Sequence, residues 1–314
     1  MPVRISEAEY KSFGKCVCLE NGTITLMATV DFGPRIIYFG MSGKSNLLFE
    51  DSDRIFSVKN GDMGTWYTYG GHRLWCAPEI LSETYYPDNE SVSYSFENET
   101  LTLVPPKTPF GKQFCLIIKM NASDGVQIES RITNLSKTAA VYAPWSITAL
   151  SPGGTEIIPL NTKDNGYLPN RELSLWSYSD IYDSRFKLLN NMAVLRHDKN
   201  VDSAFKAGFN VTDGYTAYML GDQLFIKQFE SYRNVSYPDF SSNLETYVNK
   251  HFLECELVGE YRSYSPEEAA VITESWRAVS YKGEAISDSA DNASQLLEYI
   301  HSKIGGNLNE RISG

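Results

Sequence analysis

Short apolar stretches recur along the chain and are punctuated by turn residues. "TITLMATV" (23–30), "RIIYFGM" (35–41), "SVSYSF" (91–96), "TLTLVPP" (100–106) and "FCLIIKM" (114–120) are followed by "VQIESRIT" (126–133), "AVYAPWSI" (140–147), "YTAYML" (215–220), "LFIKQF" (224–229) and "HFLECELV" (251–258). Each is short and rich in β-branched or aromatic residues, as strands are. "NG", "GKSN", "PDN", "SDG", "PGG", "DG" and "GD" separate them and read as turns. "VQIESRITN" alternates with period two, the pattern of a half-solvated strand. Helical spacing is confined to the end, where Leu296, Leu297, Ile300 and Ile304 share a stripe and predict a helix over 289–304, followed by a loose tail. Strands that follow one another without intervening helices exclude a parallel α/β sheet. The expectation is an all-β fold, a large antiparallel sandwich. It forms one domain over 1–314, with its core at about 10–282 and a short C-terminal helix.

Composition narrows this picture. The 314 residues suffice for a large core, and a net charge of -11 without a Lys/Arg cluster argues against nucleic acid. No run approaches the roughly 20 apolar residues of a membrane helix, and the N-terminus lacks an apolar signal-type stretch. These features lead to the expectation of a cytoplasmic protein with no membrane partner, monomeric or homodimeric. Cys16, Cys18, Cys76, Cys115 and Cys255 are odd in number and scattered, so they read as reduced thiols. No ligand spacing indicates a metal, and no cofactor is expected.

Two segments concentrate chemistry. In "GGHRLWCAPE" (71–80), His72 can move a proton near neutral pH, Arg73 can fork onto oxygens, and Trp75 offers a flat face. In the second, "SNLETYV" and "HFLECELV" flank Asn249-Lys250. A two-residue loop there sets Val248 opposite His251 and Glu245 opposite Glu254, about 5 Å apart. Two such carboxylates repel, so one keeps its proton or a cation sits between them. The opposing possibility is a wet face on which both are solvated. Glu256 shares the face of Glu254, while Leu253, Cys255 and Leu257 face the core.

With these segments in view, the chain resembles the galactose mutarotase-like superfamily, the aldose 1-epimerase type, over residues 20–280. "NGTITLMATVDFGPRIIYFG" is similar to the family's first strands, and "GGHRLWCAPE" to its "GG-x-P-x-x-W/F-P" segment. "HFLECELVGEYRSYSPEEAAVITESW" is similar to its closing pattern of carboxylate strand, turn and aromatic-ended strand. The resemblance implies a β-supersandwich and a small-molecule carbohydrate as ligand. It implies a glutamate general base at Glu254, or at Glu245 in a second alignment. The family's general-acid histidine lies in an "N-H-x-Y-F-N-L" strand, and here "APWSITAL" has none. His72 is the candidate substitute. Arg73, Lys206, Lys227 and Glu79 are candidates to hold hydroxyls or to pair among themselves. Trp66, Trp75 and Trp145 are candidates to stack on a pyranose. The functions that follow are anomer interconversion by acid/base ring opening, sugar binding without catalysis, or another sugar-active chemistry. A lyase would draw on Tyr232, Arg233 and Tyr237.

Overall fold

The computed structural model describes residues 2–123, 125–232, 234–282 and 290–304. The tail 305–314 and Arg233, both singled out above, lie outside them. Two large antiparallel sheets dominate. From edge to edge, the first runs Arg4–Glu9, Lys15–Glu20, Ile24–Thr29, Ile36–Met41, His72–Ala77, Ala140–Leu150, Leu253–Val258, Leu244–Val248, Phe205–Phe209 and Leu173–Leu175. The second centres on Thr155–Pro159, Tyr215–Leu220, Gln223–Phe229, Ala269–Ser280, Gly125–Asn134 and Lys112–Met120. Their inner faces meet in one hydrophobic core that includes Phe39, Leu116, Ile128, Phe205, Leu253, Leu257 and Trp276. The fold is thus the expected all-β sandwich, and none of the helices among the described residues is long and apolar enough to cross a membrane. The five cysteines are free.

The C-terminal helix, Ala290–Ile304, explains why several strands of the second sheet are apolar on both faces. Ala293, Leu296, Ile300 and Ile304 pack on Ile157, Val194, Tyr215, Leu224 and Ile226, the face turned away from the sandwich. The strands Thr155–Pro159, Met192–Arg196, Tyr215–Leu220 and Gln223–Phe229 of the second sheet are therefore covered on both sides. On the outer face of the first sheet, Phe13, Phe32 and Tyr69 cover one part, and Arg73, Trp145, Lys206 and Glu254 lie mostly buried in another.

The helix also fixes which way Lys227 points. Its neighbours Leu224 and Ile226 face the helix, so Lys227 faces the sandwich interior and is buried. There its ammonium meets Glu274 at 3.1 Å and donates to the Thr148 hydroxyl at 2.8 Å. Ser146 also donates to Glu274, and Trp276 Nε1 does so at 2.7 Å. His72 completes this group, with Nδ1 3.0 Å from Thr148 Oγ1 and Nε2 4.0 Å from Glu274. His72, Ser146 and Thr148 belong to the first sheet and Lys227, Glu274 and Trp276 to the second, so the network ties the two layers together. A second tie runs from Glu156 to Thr246 and Thr216.

Removing one member of a buried charged pair strands the other, a loss of about 3–5 kcal/mol. Lys227→Met is expected to destabilise the fold by that amount in urea titration, and adding Glu274→Gln should recover much of it. Equal losses in the single and double variants would show that the pair does not act as a unit. Burial pushes the Glu156 carboxyl up to about 7, against hydrogen bonds from Thr246 and Thr216. The folded chain then holds a proton that the unfolded chain releases near pH 4.3, so stability from this group falls as pH rises between about 4.3 and about 7. Glu156→Gln, which has no such proton to lose, should gain on the wild type across that window by up to roughly 3 kcal/mol. A pH-independent difference would exclude the effect.

Candidate functional site

The outer face of the first sheet carries most of the site candidates. Side chains alternate along a strand, and in His72–Ala77 this sends His72 inward while Arg73 and Trp75 point outward. Arg73 pairs with Ile147 and Trp75 with Trp145 on the neighbouring strand. On the other side of that strand Glu256 is opposite Ile147 and Glu254 opposite Ala149. Arg73, Trp75, Trp145, Glu254 and Glu256 therefore occupy one face, and segments 71–79 and 243–258 meet there.

The carboxylate hairpin has a different register from the expected one. Its ladder closes at Val248↔Leu253, and Glu245 stands opposite Glu256, with Glu254 opposite Tyr247. The cause lies in Asn249, whose side-chain oxygen accepts from His251 N at 2.7 Å and Phe252 N at 3.1 Å. That capping turn takes His251 and Phe252 into the loop and lengthens it from two residues to four. The opposed-carboxylate argument survives with a new partner. Lys206 lies between the two, 2.7 Å from Glu245 and 2.9 Å from Glu256.

Lys206 is boxed in. Its ammonium lies 4.9 Å from the Trp145 ring centroid and 4.6 Å from that of Trp176, and Trp145 Nε1 donates to Glu256 at 2.9 Å. Ser179 bonds the Lys206 backbone in both directions and so pins the segment carrying Trp176 to this strand. Burial disfavours the Lys206 charge, but Glu256 and Glu245 outweigh it and hold its pKa above the usual lysine value. Burial pushes the Glu245 carboxyl up to about 8, although Lys206 pulls the other way. One Glu245 oxygen is buried without a partner, which a protonated carboxyl tolerates better than a carboxylate.

Arg73 pairs with Glu254 at 3.0 Å rather than with Glu79. Its guanidinium lies 4.2 Å from the Trp75 ring centroid and 5.7 Å from that of Trp66. Burial raises the Glu254 pKa, and Arg73 restrains that rise. Trp66, Trp75 and Trp145 form a continuous row, with centroid spacings of 5.2 and 5.4 Å. Tyr85 closes the row against Trp66 and Trp75. Glu79 is exposed at the rim, where it raises the Tyr85 pKa second only to burial.

The structure does not bring His72 into this group. It is fully buried on the opposite face of the sheet, and burial lowers its pKa to about 3. A neutral imidazole facing the inter-sheet core cannot hand a proton to a ligand on the outer face. This corrects its assignment as the acid. Lys227 is excluded for the same geometric reason. Tyr232 and Tyr237 of the lyase reading line a different cavity, with Glu260 and Arg262, that none of Glu245, Glu254 and Glu256 lines. Sequence reasoning missed Trp176 and Tyr247. Trp176 sits in an irregular stretch without strand alternation, so no pattern marked it. Among the described residues no cluster of His, Cys, Asp or Glu is arranged to hold a metal ion.

Comparisons with known proteins bear on the fold. No protein-family model matches the chain, and no curated protein matches it in sequence. Solved structures do match in shape. A candidate aldose 1-epimerase from Klebsiella pneumoniae is 12% identical with a TM-score of 0.60, over 97% of this chain and 88% of that one. A galactose mutarotase-like protein from Lactobacillus casei is 9% identical with a TM-score of 0.57, over 84% and 100%. A TPR-domain containing protein from Parabacteroides distasonis is 13% identical with a TM-score of 0.60 over 88% of this chain, which spans only 49% of that protein. The fold is the galactose mutarotase-like sandwich.

Without Arg73 the rise of the Glu254 pKa is unrestrained. In Arg73→Met the Glu254 carboxyl should titrate at a higher pH than in wild type, read from its carbon chemical shift in glutamate-labelled protein. An unchanged titration would show that Arg73 does not govern this group.

Proposed function

We propose that the chain binds a carbohydrate on the outer face of its first sheet. The observation that carries this reading is the tryptophan row beside ion-paired carboxylates. Trp75 is half-buried and wedged between the buried Trp66 and Trp145, and it supplies the apolar surface for the C–H face of a pyranose. The Arg73–Glu254 pair and the Lys206–Glu256 pair supply donors and acceptors for its hydroxyls. The shared fold with mutarotase-like proteins supports a sugar ligand in this position.

Charge selects among sugars. Two cations, Arg73 and Lys206, face three carboxyl groups, Glu245, Glu254 and Glu256, and burial favours the protonated form of Glu245. Both of these cations are already paired, so a neutral sugar fits better than a phosphate or uronate.

Interconversion of anomers is the catalytic form of the same reading. A base takes the proton of the anomeric hydroxyl, and an acid protonates the ring oxygen. Glu254 is the base in this scheme: it is 8% exposed, while Glu245 at 1% and Glu256 at 2% are sealed beneath Lys206. Its raised pKa brings it nearer the working pH of a general base. The acid is the weaker half. Lys206 holds its proton too firmly, which leaves Tyr247, opposite Glu254 in the ladder, and Tyr85 as protonated groups near it. Binding is therefore the primary claim.

Calorimetry with glucose, galactose, glucose 6-phosphate and glucuronate, alongside anomeric proton NMR of freshly dissolved α-glucose and α-galactose, tests both levels. The expected result is binding of neutral sugars in preference to the anionic ones. If the protein also catalyses, Glu254→Gln should lose about 10²–10⁴-fold in rate. Binding without faster equilibration leaves a sugar-binding protein. Absence of binding to every sugar would overturn the proposal.

A further inference from the structure

A second cavity lies apart from the carboxylates, and it arises from a split in the first sheet. The strands Ile36–Met41 and His72–Ala77 share a single pair, Ile36↔His72, and diverge beyond it. The gap encloses about 180 Å³. Leu74 and Cys76 of the first sheet and Phe114 and Leu116 of the second line it, and Pro87 and Pro105 from two loops help close it. Trp66 and Trp75 extend this apolar wall, and Thr84 and Thr108 add hydroxyls to it.

Its polar groups are few and charge-balanced. Buried Arg35 donates Nη1 to Asp88 at 2.6 Å and to the Pro34 carbonyl at 3.1 Å. Arg35 Nε and Nη2 and Asp88 Oδ1 are buried without partners. The pair therefore has unused donors and an unused acceptor but no net charge. Glu83 at the same cavity is neutralised by Lys112. Lys107 and Glu90 lie on the exposed rim.

Size, wall chemistry and charge balance act together. An apolar cavity of about 150 Å³ accepts one benzene ring, so this one takes a single six-membered ring with a substituent. A pyranose would bring several hydroxyls, and most would face apolar wall without partners, at a cost in free energy. An anionic acid would need a cation that Asp88 has not already neutralised. A neutral ring with one hydroxyl matches both the walls and the Arg35–Asp88 end, accepting from the guanidinium and donating to the carboxylate. We propose that this cavity is a binding site for a neutral monocyclic phenol. The inference uses none of the outer-face ion pairs, but Trp66 and Trp75 line both this cavity and the proposed sugar surface, so the fluorinated sugar among the probes below distinguishes the two readings.

Fluorine NMR with 4-fluorophenol, 4-fluorobenzoate and 2-deoxy-2-fluoroglucose provides the test. The expected result is saturable binding of 4-fluorophenol that unlabelled phenol displaces. Affinity should fall about tenfold or more in Leu74→Phe, which enlarges a half-buried wall residue, and in Leu116→Phe if that variant folds. Tighter binding of the benzoate or the sugar would overturn the assignment. So would the absence of binding by all three probes, or fluorophenol binding that Leu74→Phe leaves unchanged.

Discussion

Side chains leave a β-strand on alternate faces, and in this protein that constraint sorts the ionisable groups into two separate systems. His72 and Arg73 are neighbours in the chain, yet one looks into the sandwich and the other out of it. The same holds along the hairpin strand, where Cys255 contributes to the core between the outward Glu254 and Glu256. Everything chemical about the molecule depends on this division. The inner system joins the two sheets, and the outer one makes a surface.

Both systems bury charge, and in both the charges are matched. Lys227 with Glu274, Arg73 with Glu254, and Lys206 with Glu245 and Glu256 each keep an ammonium or guanidinium within 3.1 Å of a carboxylate. Desolvating such groups is costly, and close pairing offsets the cost rather than adding stability beyond it. These pairs therefore act more as constraints than as glue. A register slip by one residue in any of these strands would send a charged group to the wrong side and leave its partner unpaired. The inner network selects one stacking of the sheets, and Lys206 selects the position of the Trp176 segment above it.

The helix Ala290–Ile304 covers part of the back of the second sheet, and the outer face of the first sheet carries the tryptophan row and the ion pairs, mostly buried under neighbouring segments. A shared fold with mutarotase-like proteins does not name the chemistry of this face, because a sandwich hosts many sites. The absent general-acid histidine and the inward turn of His72 separate this chain's outer face from a simple mutarotase arrangement.

The lack of parallel topology, the terminal helix and the inward set Leu253, Cys255 and Leu257 were legible in the sequence, whereas strands such as Lys15–Glu20, Thr155–Pro159 and Met192–Arg196 were not among the stretches it marked. Period-two and 3.6-residue patterns report directly on which side of an element meets the core. The concentration of chemistry in 71–80 and 244–257 was also legible, because charged and aromatic residues interrupting apolar strands are costly without a purpose. Three things were settled only by tertiary structure. The hairpin register turned on the Asn249 side chain bonding its own loop, a choice between two-residue and four-residue loops that local sequence leaves nearly balanced. The fate of His72 and Lys227 turned on which sheet faces a neighbouring layer on both sides, and alternation alone cannot say whether a face is wet or covered. The partners of Arg73 and Lys206 turned on strand order, which brings residues about 180 and 50 positions away in the chain into contact. Periodicity is a local property of the chain, whereas pairing between distant strands depends on how the whole sandwich closes.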